Sequence, residues 1–486
     1  MSAAPKQFVR TLALWAASLA TVAQAQNFDT PPKVGAPRPL SIAAPVEQRL
    51  PNGLRIVLAE RRGVQLVTAQ LIVLSGSEVD PTRLAGLASM TAGLLTRGTR
   101  GHSATQLARA AESLGGSLDS SAGWNQSGVA ITVTVPKIDA ALALVSEVVQ
   151  QPAFAQAELD RLRAQALDDL KIAYSDPGTL ASLASQRLLF GASAYGHPAG
   201  GTPASLARID RVDLVALHAA RYRPDNAVLV LAGDLDADAA LRLARRHFGA
   251  WKATGMAPAR APAQTGGELP QTTALIDLPQ SGQAAVVVAV PLPPLGADRA
   301  TAEVMNSVLG GGFSSRLNQE IRIRRGLSYG AGSALDARPG GGSLRAMVQT
   351  RNESSAEVVT LVLGELDRLV AAPVGEDELA ARKATLIGDF SRSVETTAGL
   401  GAAIKSLIVA GLPPADLRTR VDALSAVGAD DVQRYATATL GPAGRRVVVA
   451  GEASQFADAL KPAAPGLVIV PAGQLDLDLG TGLRAP

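Results

Sequence analysis

The sequence predicts an α+β fold made of two homologous domains of roughly 200 residues each. The first observation is the order of elements: in both halves, two apolar strands precede a helix, an extended segment and long amphipathic helices. The second is a pair of repeated fragments. Residues 151–159 resemble residues 372–379, each opening a long helix, and residues 222–234 resemble residues 440–452.

Alternating and helical apolar patterns locate the elements of each half. In the first half, neighbouring strands are predicted at 54–59 and 65–74, further strands at 129–135 and 227–233, and helices at 86–96, 103–114, 138–150, 156–173, 180–189 and 214–222. In the second half, strands are predicted at 273–278, 285–290 and 343–349, and helices at 299–309, 356–370 and 376–390. The domains then cover 46–250 and 271–470, with a linker over 251–270 and a tail over 471–486 that either adds an edge strand or stays loose.

Residues 1–25 have the organisation of a cleaved secretory signal. Lys6 and Arg10 precede a short apolar run, cleavage is expected after Ala25, and a Pro-rich arm follows over residues 26–45. The apolar run is too short to span a bilayer, and the sequence has no other run of ~18 apolar residues, so no membrane span is expected. The expected location is a bacterial periplasm, with full secretion as the alternative.

The composition limits the chemistry and the partners of an exported chain. It contains no cysteine, so neither disulfides nor thiolate chemistry is available. Hydrophobic residues make up 47% of the sequence, which is ample for a packed core. Loss of Lys6 and Arg10 with the signal lowers the formal net charge from +3 to +1, which argues against a nucleic-acid partner.

Polar side chains are densest in the stretch 310–330. Ser314 or Ser315 is predicted to cap a helix whose last turn carries Arg322, and Tyr329 begins the next extended segment. A guanidinium and a phenol would then share one cleft. The structural alternative is that Arg322 and its basic neighbours only complement the helix dipole.

The same stretch contains the pattern G-x-S-x-G over Gly326–Gly330. A serine-hydrolase nucleophile elbow needs a strand before Ser328, a helix after it and a later histidine. A charged helix end precedes it and the last histidine is His247, so this motif is excluded. The glycine runs 310–312 and 340–342 are either substrate-handling loops or tight turns that need a positive φ.

Several landmarks together resemble the M16 family of zinc metallopeptidases, the group of pitrilysin and insulinase. They extend over about 46–453 and include Asn52-Gly53-Leu54, Gly76-Ser77, Gly86-Leu87-Ala88, Arg97-Gly98-Thr99, Gly196-His197-Pro198, Gly201-Thr202, Val290-Pro291 and the stretch 310–330. The resemblance implies two M16-type domains, each a mostly antiparallel β-sheet packed with several α-helices.

The family's zinc motif, H-x-x-E-H, directly follows the Gly-Leu-Ala landmark, and a glutamate on a later helix completes the ligands. The resemblance places Ser89 and Gly93 at the histidine positions, Ala92 at the general base, Asp169 at the third ligand and Leu162 at a supporting acid. A lone carboxylate does not hold catalytic zinc. No metal or other cofactor is therefore expected in this chain, and zinc is expected in a partner.

The remaining polar candidates near these positions have simpler interpretations. The histidines show no ligand spacing and are assigned structural or solvent roles: His102, His197, His218 and His247. Asp168 and Asp169 are most simply a solvated helix face.

The other half of the family's active site is matched by Arg322 and Tyr329, an arginine and a tyrosine seven residues apart. In the family these donors stabilise the carbonyl oxygen that becomes negative during hydrolysis, at ~3 kcal/mol per donor. The resemblance thus implies the zinc-less subunit of an M16B-type heterodimeric peptidase, whose H-x-x-E-H partner would be completed for cleavage of peptides or unfolded polypeptides. The alternatives are an inactive clamshell that binds extended peptides at a sheet edge, and a scaffold without peptide chemistry.

Overall fold

The computed structural model describes residues 41–478 apart from 254, 259–268 and 270, together with residues 480, 482 and 483. The predicted signal, most of the Pro-rich arm and most of the linker lie outside the described residues. The described residues from Ile42 onward pack as one compact unit. No helix in the described part is long and apolar enough to cross a lipid bilayer.

Six strands of the first half form one sheet: β1 Val46–Arg49, β2 Arg55–Glu60, β3 Leu66–Val73, β4 Asp119–Ala122, β5 Ser127–Thr134 and β6 Ala227–Gly233. Their spatial order is β1-β2-β6-β3-β5-β4, and the β2 and β6 pair is parallel. The expectation that β2 and β3 are neighbours is wrong, because β6 pairs with both of them. β6 is buried along its whole length, as a strand with two covered faces requires.

Six strands of the second half form the other sheet: β7 Thr273–Asp277, β8 Ala284–Leu292, β9 Ser328–Asp336, β10 Gly342–Thr350, β11 Arg446–Gly451 and β12 Val468–Pro471. Their order, β12-β7-β11-β8-β10-β9, repeats that of the first sheet except at the outer strand, which here comes from the end of the half. The α+β fold class and the internal repetition are confirmed. The described part of the tail is not loose, because Leu477 is buried and Asp478 accepts a hydrogen bond from Thr202 Oγ1 at 2.8 Å.

Each helix to which the sequence assigned a range lies close to its predicted position, and the described residues also contain helices that the sequence did not predict. Those of the first half are α1 Leu87–Leu95, α2 Ala104–Ser113, α3 Ile138–Gln150, α4 Gln156–Ala173, α5 Pro177–Phe190, α6 Pro203–Arg208, α7 Arg211–Arg221 and α8 Ala237–Phe248. Those of the second half are α9 Arg299–Leu309, α10 Ser355–Ala371, α11 Glu376–Ser393, α12 Thr397–Val409, α13 Arg420–Ala426, α14 Ala429–Thr439 and α15 Ala457–Leu460. Side-chain caps explain where several helices begin; for example, the Ser103 side chain caps α2 by accepting a hydrogen bond from Gln106 N.

One helix of each half packs on the sheet of the other half. The apolar side of α5, with Leu180 and Leu188, packs on β8 and β11. The apolar side of α12, with Ile404, packs on β3 and β6. Because α5 and α12 each cover a sheet face of the other half that would otherwise be exposed, the two halves stabilise each other.

Candidate functional site

The first-half positions that resemble a zinc motif lie on α1, which packs against α4. Ser89 Oγ donates to the Ala199 carbonyl at 3.0 Å, and Ala92 is fully buried. A Cβ built on Gly93 would lie 3.2 Å from Leu162 Cδ2 on α4. An apolar side chain therefore fills the space between the two helices.

These residues do not fit a zinc ion. Asp169 is exposed two helical turns beyond Leu162, and its neighbour Asp168 pairs with Lys171 at 2.7 Å. Among the residues that the structure describes, no group of three or more His, Cys, Asp or Glu side chains is placed to hold a metal. A hydroxyl bonded to the backbone and one exposed carboxylate are not a zinc ligand set.

The four histidines make structural contacts, as predicted. Two of them contact carboxylates and two contact backbone carbonyls: His102 Nδ1 with Glu147 at 2.8 Å, His247 Nε2 with Asp139 at 2.7 Å, His197 Nδ1 with the Pro198 oxygen at 3.1 Å, and His218 Nε2 with the Val149 oxygen at 2.8 Å. Burial lowers the pKa of His197 and of His218, so both rings are neutral at pH 7.

The stretch 310–330 begins with a close backbone approach. A Cβ on Gly310 would lie 2.2 Å from Ser333 N on β9, so only glycine fits there. Gly341, in the second glycine run, has a φ of +113°. At these two positions the glycines serve tight backbone geometry.

The predicted helix is present but wider than an α-helix, with a π-helical segment over Asn318–Arg324. Leu317 and Ile321 are fully buried and anchor it, and Gly326 ends it with a φ of +62°, as predicted. The predicted serine cap is wrong: no side chain caps the segment, and Ser315 Oγ is buried without a hydrogen-bond partner among the described residues. π-Helical turns occur frequently at functional sites.

Most arginines of this stretch are neutralised by glutamates. The pairs are Arg316 with Glu378 at 2.7 Å, Arg324 with Glu320 at 2.8 Å, and Arg325 with Glu320 at 2.9 Å. Glu320 thus accounts for two arginines, and its pKa is lowered by hydrogen bonds from Arg325 and Arg324. These side chains have the structural role that helix-dipole and ion-pair arguments assign to them.

Arg322 differs from these neighbours. Its Cζ lies 5.0 Å from the ring centroid of Phe313 and 5.3 Å from that of Tyr329, within the range of cation–π contacts. Its guanidinium makes no hydrogen bond or ion pair with any other residue that the structure describes. The structure thus brings Arg322 and Tyr329 together, and the aromatic ring of Phe313 was missing from the sequence-based site.

Tyr329 projects from an irregular point of β9. Val348 pairs with Ala331 and Thr350 with Ser328, so Tyr329 and Gly330 oppose the single residue Gln349. Such a β-bulge turns a side chain out of the regular alternation. The Tyr329 side chain is 93% exposed, which leaves its hydroxyl free to meet another molecule. Ser328 Oγ, by contrast, bonds to the backbone of Gly330.

A cavity of ≈ 730 Å³ lies beside Tyr329, between α5, β9 and β10. Its lining residues are Ser182, Gln283, Gly310, Tyr329, Gly330, Gly332, Ser333, Ala334, Arg345, Met347 and Gln349. Arg322 is not one of them. No signal in the sequence favoured Arg345, Met347 or Gln349 as site residues, although their i, i+2, i+4 spacing on a strand places them on one face.

Comparison with known proteins agrees with this fold. The profile described as "Insulinase (Peptidase family M16)" matches residues 55–187, and that described as "Peptidase M16 inactive domain" matches residues 208–386. Together they cover more than half of the chain. It therefore belongs to the M16 peptidase family, and its second half is of the inactive-domain type.

Individual relatives support the assignment. An uncharacterized zinc protease of Mycobacterium tuberculosis is 28% identical over 361 residues, which cover 74% of this chain and 82% of the relative. The non-peptidase homolog YmxG of Helicobacter pylori is 27% identical over 340 residues, covering 70% and 78%. The crystal structure of a peptidase M16 inactive domain from Pseudomonas fluorescens is similar at a TM-score of 0.78 and 26% identity, over 84% of this chain and 98% of that one.

Proposed function

We propose that this chain is the zinc-less subunit of an M16B-type heterodimeric peptidase of the bacterial periplasm. It supplies Arg322 and Tyr329 to the active site of a zinc-binding partner that cleaves peptides or unfolded polypeptides. The observation that carries the proposal is the state of Arg322, whose charge has no carboxylate beside it while its arginine neighbours are paired.

The two side chains have the right chemistry for a transition-state clamp. A guanidinium N–H and a phenol O–H both donate hydrogen bonds to an oxygen that gains negative charge. Phe313 and Tyr329 hold Arg322 through their ring faces, so its N–H groups stay available. In the proposed assembly the partner's metal site supplies the activated water.

Exposure explains why the clamp would need a partner. Phe313 is 65% exposed and Tyr329 is 93% exposed. In water, a solvated guanidinium gains little from an added oxyanion, whereas exclusion of water by a partner surface strengthens the same interaction. The chain alone is therefore expected to be inactive, and the filled space around Ala92 leaves no room for a metal at that position.

The test is a titration of peptide hydrolysis. The mature chain, starting at Gln26, is added to a fixed amount of an H-x-x-E-H protein co-purified from the same periplasm. We expect no hydrolysis by this chain alone, a rate that rises with its addition and saturates at one to one, and complete loss with a chelator. A partner whose rate does not depend on this chain would overturn the proposal.

The second candidate is a peptide-binding clamshell without a catalytic role. The observation that favours it is the position of β9, which is the outer strand of its sheet and borders the cavity. An outer strand can pair with an extended peptide. This candidate predicts that the isolated chain binds peptides but does not change any partner's rate, and the absent effect on that rate is what distinguishes it from the proposed subunit.

A further inference from the structure

The floor of the cavity beside Tyr329 is one face of β10. The even-numbered residues from Leu344 to Val348 are at most 1% exposed and belong to the core. Arg345, Met347 and Gln349 therefore project from the opposite face. The β8 residues that pair with these three belong to the sheet face on which α5 packs. The cavity therefore lies next to α5, on the part of that face that the helix leaves uncovered.

The neighbouring strand leaves room above this floor. Ala334 and Gly332 on β9 lie opposite Arg345 and Met347. A Cβ on Gly330 would meet nothing within 4 Å. Small residues on β9 thus leave the longer side chains of β10 open to a ligand.

The side chains that line the cavity carry a net positive charge. Among the described residues that line it, Arg345 is the one that carries a formal charge. The carboxylate nearest to Arg345 is that of Asp336, 3.6 Å from Arg345 Nη2, and it is shared with Arg338, whose Nε donates a hydrogen bond to it at 3.1 Å. Arg338 is 3% exposed, with its guanidinium 4.2 Å from the Trp124 ring centroid. Two guanidiniums share one carboxylate, and the accessible surplus of positive charge is at Arg345.

We propose that this cavity is a substrate subsite in which Arg345 binds a carboxylate of the peptide, either an acidic side chain or the C-terminus. The inference rests on the proposed function, because it makes the cavity the place where a peptide residue lies next to Tyr329. The planar guanidinium suits a carboxylate, and it repels a lysine or arginine side chain. Met347 provides an apolar surface and Gln349 an amide for the rest of the residue.

The experiment measures binding of fluorescent peptides to the mature chain by anisotropy. Three peptides differ only in a central Glu, Gln or Lys, and each is made with a free and an amidated C-terminus. The protein is wild type, Arg345→Gln or Arg345→Lys, with Arg351→Gln as the matched control, an exposed arginine just beyond β10. Thermal unfolding of each variant verifies that it is folded.

For the wild type we expect a carboxylate peptide to bind about tenfold tighter than its uncharged counterpart, with the Lys peptide weakest. Arg345→Gln should abolish this preference, Arg345→Lys should restore part of it, and Arg351→Gln should retain it. A preference set by Glu identifies a side-chain subsite, and one set by the free C-terminus identifies a terminal subsite. Equal binding of all peptides, no binding, or a preference that persists in folded Arg345→Gln would overturn the proposal.

This binding assay separates the inference from the proposed function. A partner that is stimulated by a chain without carboxylate preference overturns the subsite alone. A carboxylate preference in a chain that stimulates no H-x-x-E-H partner overturns the proposed function alone.

Discussion

The two regions that resemble halves of one peptidase active site have opposite physical states. Around α1, Ser89 bonds to the backbone, Ala92 is fully buried and Leu162 covers Gly93. Around the π-helical segment, Arg322 has no carboxylate partner and Tyr329 is 93% exposed. The residues of the first region are part of the core, whereas core packing does not explain the positions of Arg322 and Tyr329 in the second region. Stability and function should therefore respond to changes in different regions.

The largest expected effect is the failure of the first region to accept the family's glutamate. Ala92→Glu places a carboxylate in a fully buried position, and we expect it to lower the free energy of unfolding by about 3 kcal/mol or more. Ala164→Glu, at an exposed position of α4, is the matched control and should change it by less than about 0.5 kcal/mol. Denaturant unfolding measures both. An Ala92→Glu chain of wild-type stability would show that the region is open.

The next effect concerns the hydroxyl of Tyr329. Tyr329→Phe should lower kcat/KM of the partner-saturated peptidase about a hundredfold, because one transition-state donor is lost. The melting temperature should not change, since the side chain is exposed. Tyr174→Phe, at the end of α4, is the control and should leave the rate unchanged. Equal rates for Tyr329→Phe and wild type would remove Tyr329 from the clamp.

A smaller effect is a pH dependence in the first region. Burial raises the pKa of Glu78, just before α1, from 4.5 to about 7, against the opposing hydrogen bond from Gly76 N. The folded state therefore holds a proton at Glu78 that the unfolded state releases between pH 4.5 and 7, so the contribution of Glu78 to stability should fall as the pH rises through this window. This contribution should change by up to about 1.4 kcal/mol per pH unit.

Unfolding of Glu78→Gln at pH 5, 6 and 7 tests this sign. The difference in stability between wild type and this variant should fall with rising pH, because the other shifted groups titrate in both proteins: Asp80, whose pKa burial also raises, and His197 and His218, whose pKa burial lowers. Glu353→Gln, which removes an exposed carboxylate, should show no such difference from wild type. A difference for Glu78→Gln that rises across this window would contradict the assignment to Glu78.

The smallest effect concerns the ring on the other side of Arg322. Phe313→Leu should lower kcat/KM of the assembled peptidase two- to fivefold, because a cation–π contact at an exposed site contributes about 0.5–1 kcal/mol. Leu327→Ile, outside the ring contacts, serves as the control. A loss as large as that for Tyr329→Phe would mean that Phe313 touches the substrate.

The sequence predicted those features that depend on neighbours along the chain. Apolar spacing located α3 and α4 with their observed limits, and Gly326 ends its helix with the expected positive φ. The repeated fragments predicted two homologous domains, and the strand order of the two sheets agrees with that prediction. Features that depend on distant residues were not predictable: β6 between β2 and β3, and the exchange of α5 and α12 between the sheets.

The same limit applies to the candidate site. Sequence spacing placed Arg322 and Tyr329 near each other and the family resemblance singled out Arg322, but neither showed which arginines of the stretch pair with carboxylates. Glu378, more than fifty residues away, pairs with Arg316, and Glu320 pairs with both Arg324 and Arg325. Only the folded arrangement shows that Arg322 is the arginine left with aromatic rings instead of a carboxylate.

The most direct test of the split active site compares two arginines two positions apart. Each of Arg322→Ala and Arg324→Ala is mixed with a saturating H-x-x-E-H partner, and kcat/KM is measured together with the affinity between subunits. We predict a loss of about a hundredfold or more for Arg322→Ala at unchanged affinity, and a change within about twofold for Arg324→Ala. Equal losses for the two variants, or no loss for Arg322→Ala, would contradict the account.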